Sequence, residues 1–276
     1  MVKDGESVED LPESPQERYY PEDLDPSTAP FEPFEDLCKR RFLWYYDSYM
    51  ATIQTGKAEI PDKTAFTMMP FEGRSGGPGS NSMPGKFYYG NLEIRMSRVR
   101  DALYKETQQW AIAGLQEKAN DTYVAANLQH QFDQIVAHLK LENSSLDVSL
   151  QDGNPFIWLV TYFGKPMTNL DGGLFRFKMC FSPKFPKEQP RVWLETKIFH
   201  QAVASDGTLC YIPNPLKIED IRLHIEAIIT ALEDENPRYD PRKIVNPEAT
   251  RLYWGKPEDK KAYSRRLRRS AQQSME

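Results

Sequence analysis

From Leu37 to Gln54 the large residues Leu37, Phe42, Tyr45, Tyr49 and Ile53 recur at helical spacing, and Gly56 is a plausible stop. Pro61 to Gly90 is rich in Gly, Pro and Ser, including RSGGPGSNSMPG, and reads as a loop. A second helical pattern runs from Leu92 to Lys118, with Leu92, Met96, Val99, Leu103, Thr107, Trp110 and Leu115 near one stripe. Together the two patterns predict a helical hairpin. A third helix fits Val124 to Leu141, with Leu128, Phe132, Ile135, Val136 and Leu139 on its apolar side. Then the period shortens. Leu146–Leu150, Phe156–Tyr162, Gly173–Phe181 and Arg191–Glu195 read as four short strands separated by turn residues. Helical patterns return at Ile218–Leu232 and Asn246–Arg269. The order predicts an α+β fold: helix, four-stranded antiparallel meander, then C-terminal helices, preceded by a helical extension.

Composition divides this plan into three parts. Residues 1–36 carry twelve acidic side chains against Lys3 and Arg18, so an acidic disordered tail is expected there. Residues 37–122 form the helical extension with its Gly/Pro-rich loop, and 123–276 the main domain. A net charge of -5 argues against a partner that is nucleic acid or an anionic membrane surface. No apolar run approaches the roughly 20 residues that span a bilayer. The N-terminus has no apolar core of a secretory signal. Cys38, Cys180 and Cys210 are scattered, which suits free thiols in a reducing compartment, the cytoplasm and/or nucleus.

The punctuation of the second half is more particular. Gly164-Lys-Pro166 precedes Asp171-Gly-Gly-Leu-Phe175, and Phe181-Ser-Pro-Lys-Phe-Pro186 leads to Pro190. His200 stands ten positions before Cys210, with Asp206-Gly207 between them. Beyond the next helix come Glu235-Asn-Pro237, Asp240-Pro241 and Asn246-Pro-Glu-Ala249. In their order and intervals these landmarks resemble those of the ubiquitin-conjugating enzymes, over about Leu128 to Met275.

The resemblance implies a UBC-like fold in which Cys210 accepts ubiquitin or a ubiquitin-like protein as a thioester. An activating enzyme would supply the modifier, and a substrate lysine or ligase cysteine would receive it. No cofactor is implied, since ATP serves the activating enzyme. His200 corresponds to the histidine that pins the family's active-site turn. Asp240 aligns with an acidic residue flanking the incoming lysine. The chain departs from the family at His200-Gln201-Ala202, where the pattern is His-Pro-Asn, so the asparagine that supports the oxyanion is missing. Asn214 is the nearest amide by sequence that could replace it. The alternative is a catalytically weak or inactive scaffold that binds a ligase or other partner through its helical extension. A zinc site from His200, Cys210 and His224 lacks the paired-ligand spacing of zinc modules. Cys180 and Cys38 are expected to be structural.

Overall fold

The computed structural model describes residues 34–67, 84–142, 145–235, 237, 239–240 and 243–275. Most of the expected acidic tail, and residues 68–83 of the loop, lie outside the described residues.

Four antiparallel strands, β3 (Leu146–Leu150), β4 (Ile157–Phe163), β5 (Leu174–Cys180) and β6 (Arg191–Leu194), pair in sequence order. Strand alternation sends every second side chain to one face. Val148, Val160, Phe177 and Leu194 therefore line up across all four strands, and Trp158 pairs with Met179 on the same face. All six are buried.

Helices close over that core. In α4 (Tyr123–Glu142) Leu128 and Ile135 are buried, and the Phe132 ring meets Trp158 edge-on at 5.4 Å. In α5 (Ile221–Glu233) Ile221, Ile225, Ile228 and Leu232 follow helical spacing into the core. The Asp220 side chain caps α5 by accepting the Leu223 N–H. The predicted helix at Asn246–Arg269 is two helices, α6 (Pro247–Tyr253) and α7 (Pro257–Gln273). Asn246 caps α6. Pro257 forbids a continuous ladder, because it lacks an N–H and disfavours helical backbone at the residue before it; Lys256 is accordingly extended.

The N-terminal pattern also breaks. α1 (Glu35–Trp44) and α2 (Tyr46–Glu59) meet at Tyr45, and α2 runs through Gly56, where the Tyr89 ring packs too closely for a Cβ. A short hairpin, β1 (Ala65–Thr67) with β2 (Pro84–Lys86), lies within the predicted loop. It leads into α3 (Tyr89–Ala119), whose 31 residues span roughly 46 Å. Lys57 pairs with Glu93 at 2.8 Å and Tyr46 Oη meets Ser97 Oγ at 3.2 Å, so α2 and α3 form the expected helical hairpin.

α3 crosses the sheet face opposite the core. Arg191 and Trp193 of β6 point that way, and they meet the rings of Trp110 and Tyr104 respectively. Leu103, Thr107 and Trp110 of the predicted stripe are buried, whereas Leu92, Val99 and Leu115 are exposed. No helix of the described residues is long and apolar enough to cross a membrane.

Candidate active site

The chain leaves β6 at Leu194 and returns alongside it just before Cys210. The Leu209 N–H reaches the Val192 carbonyl at 3.1 Å, and the Cys210 N–H reaches that of Ala202 at 2.9 Å. These bonds hold 200–210 as a closed loop against the sheet edge. Gly207 turns the loop with φ +88°; a Cβ there would stand 2.4 Å from the Leu194 carbonyl oxygen. Asp206 accepts the Thr208 N–H at 2.8 Å and also bonds the Tyr104 hydroxyl from α3.

His200 is 2% exposed. Its Nδ1 accepts the Ala202 N–H at 3.0 Å, so the ring ties the loop to itself rather than facing substrate. Burial pushes its pKa down to about 4, opposed by Asp234 and a hydrogen bond to the Leu232 backbone, and the imidazole is neutral. His224 meets the Tyr211 hydroxyl at 2.9 Å and the Ile218 carbonyl at 2.9 Å, so both ring nitrogens are engaged away from Cys210.

A cleft of about 780 Å³ opens beside Cys210. Its lining includes Ala202, Asn214, Asp240 and Lys243. The structure thus brings three of the four expected site residues to one cleft, with His200 behind it. The Asn214 Oδ1 accepts the Leu216 N–H at 3.0 Å, which leaves the amide NH₂ to donate. Asp240 Oδ2 lies 3.7 Å from Lys243 Nζ. Asn236 and Pro241 lie outside the described residues.

The extension reaches this site. Trp44 and Tyr45 at the α1–α2 break are buried with Ala204 and Val245, and Cys210 packs against the group. Asp36 Oδ1 pairs with buried Arg191 at 2.7 Å, and Ser48 Oγ donates to the Ile244 carbonyl at 2.5 Å. Part of Cys210 stays at the surface, but the surrounding protein pushes its pKa up to about 12, opposed by Lys243, Arg40 and Arg41. A thiol, not a thiolate, stands there at neutral pH. Cys180 is buried in β5 and burial pushes it up to about 11, whereas Cys38, expected to be structural, is exposed.

The family model for the ubiquitin-conjugating enzyme matches residues 127–270, a little over half of the chain. The chain belongs to the ubiquitin-conjugating enzyme family. It is 31% identical over 127 residues to ubiquitin-conjugating enzyme E2 3 of Arabidopsis thaliana, covering 45% of this chain and 80% of that protein. Ubiquitin-conjugating enzyme E2 7 of Triticum aestivum is 28% identical over 145 residues, again with 80% of its length covered. Both matches span less than half of this chain, and the family model begins at residue 127, after α1–α3.

Two features of the site escape sequence reasoning. Lys243 stands three residues after Asp240, but nothing in the sequence says that it lines one cleft with Cys210. The docking of Trp44 and Tyr45 on the cysteine loop leaves no local pattern, because helical periodicity does not say what a buried face meets.

Proposed function

We propose that Cys210 accepts ubiquitin or a ubiquitin-like protein as a thioester from an activating enzyme and passes it to a substrate lysine or to the cysteine of a ligase. The supporting observation is the shared cleft: Cys210 opens on the same space as Asp240 and Asn214. Loading exchanges one thioester for another, so it needs no adjacent general base to create the acyl bond. Transfer to lysine asks for more. Asp240 would orient the amine and take its proton, and the Asn214 amide would donate to the oxyanion that Ala202 cannot reach. His200 holds the loop. The work belongs to the cytoplasm and/or nucleus, and nucleic acid and membrane surfaces are not partners in this reading.

A second reading, a catalytically weak scaffold that binds partners through its extension, is supported by Ile112 and Leu115, which stand 65% and 51% exposed on α3. Incubation with activating enzyme, ATP and modifier separates the two. The first reading expects a reductant-labile adduct that discharges onto free lysine or a small thiol; a scaffold gives no adduct with any modifier.

A further inference from the structure

Of the charged residues lining the cleft, Glu226, Asp234 and Asp240 are acidic, and Lys243 is the one cation among the described lining residues. It lines the same cleft as Cys210 and Ala202, the residue that stands where the family's amide donor would be. Its side chain is half exposed, and its ammonium lies 3.7 Å from Asp240, outside tight hydrogen-bond range. A loosely held lysine with three rotatable donors can turn towards a carbonyl carried on Cys210. We propose that Lys243 stabilises the tetrahedral oxyanion formed when a lysine amine attacks the Cys210 thioester.

This inference rests on the thioester reading given above and adds a catalytic residue to it. In the step, the neutral amine attacks the thioester carbonyl carbon and the C–N bond forms as the carbonyl π pair moves to oxygen. Lys243 meets that oxyanion. Collapse re-forms the carbonyl and breaks the C–S bond, Cys210 leaves as thiolate, and Asp240 takes the ammonium proton. The same cation helps the departing thiolate: against the burial that pushes the thiol pKa up, Lys243 is the foremost of the charges that pull it down. Asp240 and Lys243 thereby divide the work, one receiving the proton and the other holding the negative charge. Thiol exchange is less demanding, because the attacking thiolate is a stronger nucleophile than the lysine amine and has no proton to lose on attack.

The test uses the full chain loaded with modifier and chased with free lysine or, separately, a small thiol. A preorganised oxyanion donor is worth about 10²–10³ in rate. A half-exposed cation gives less, so Lys243→Gln should slow the lysine chase about tenfold or more. The thiol chase should slow less, and Lys243→Arg should restore most of the lysine rate. The inference is overturned if Lys243→Gln discharges to lysine at the unmodified rate, if both chases slow equally, or if Lys243→Arg is as slow as Lys243→Gln. Transfer of the modifier onto Lys243 itself, read by peptide mapping, overturns it too. Failure of the unmodified chain to load is a different result: it removes the thioester reading and this inference with it.

Discussion

The carboxylate of Asp47 in α2 accepts the backbone N–H of Ser205 at 2.7 Å and its hydroxyl at 3.1 Å, which joins the N-terminal extension to the loop that carries Cys210. Each such bond contributes about 0.5–1.5 kcal/mol net. Asp47→Ala should therefore lower the unfolding free energy by about 1–2 kcal/mol in a urea titration, with an unchanged m-value.

The Asp36–Arg191 pair should matter more. Arg191 is 4% exposed, its guanidinium meets Asp36 at 2.7 Å and the Gln189 carbonyl at 3.0 Å, and it lies over the Trp110 ring. Removing one partner of a buried pair strands the other charge, at about 3–5 kcal/mol. Asp36→Ala should approach the lower end, since Asp36 also bonds Arg40 and keeps some water contact. The exposed Arg266–Glu248 pair on α7 and α6 offers the contrast: Glu248→Ala should cost less than about 1 kcal/mol.

His200 sets a pH dependence. Its folded pKa of about 4 lies below the ordinary histidine value of 6.5, so between those values the unfolded chain binds the extra proton. The stabilisation from burying neutral histidine is complete above about pH 6.5 and is lost as pH falls towards 4. The limiting slope is about 1.4 kcal/mol per pH unit. Stability measured from pH 7 to 4 should fall less steeply in His200→Asn than in the unmodified chain. Equal slopes would show that His200 does not carry this dependence.

The three thiols should alkylate in a fixed order. Cys38 is exposed, whereas burial pushes Cys210 and Cys180 up to about 12 and 11. Peptide mapping after brief iodoacetamide treatment at neutral pH should find Cys38 labelled first. Trp44→Ala, which uncovers the group packed on Cys210, should speed labelling of Cys210 and leave Cys180 unchanged.

The sheet was legible because period-two patterns leave little freedom. Leu146–Leu150 is a strand with the predicted bounds; β4 and β5 differ from theirs by one residue at each end, and β6 by one residue at its C-terminal end. Helix boundaries fared worse where tertiary contacts intervened. The apolar period runs through Tyr45 without a breaker, yet the chain kinks there and Trp44, Tyr45 and Tyr46 are all buried. A single helix face cannot bury three consecutive aromatics; the kink allows it. Pro257 was a readable signal for the split between α6 and α7. At the site, the ordered landmarks led to Cys210, His200 and Asp240, because turns at fixed intervals identify a family even where single motifs are degenerate. Lys243 had no such marker.

The most direct measurement exchanges the acceptor atom. The full chain, Cys210→Ser and Cys210→Ala are each incubated with activating enzyme, ATP and ubiquitin or a ubiquitin-like protein, then separated with and without thiol reductant. A thioester is cleaved by reductant and an oxygen ester is not. The account predicts a reductant-labile adduct on the unmodified chain, a reductant-resistant and base-labile adduct on Cys210→Ser where one forms, and none on Cys210→Ala. An adduct that persists in Cys210→Ala, or no adduct on the unmodified chain with any modifier, would contradict it.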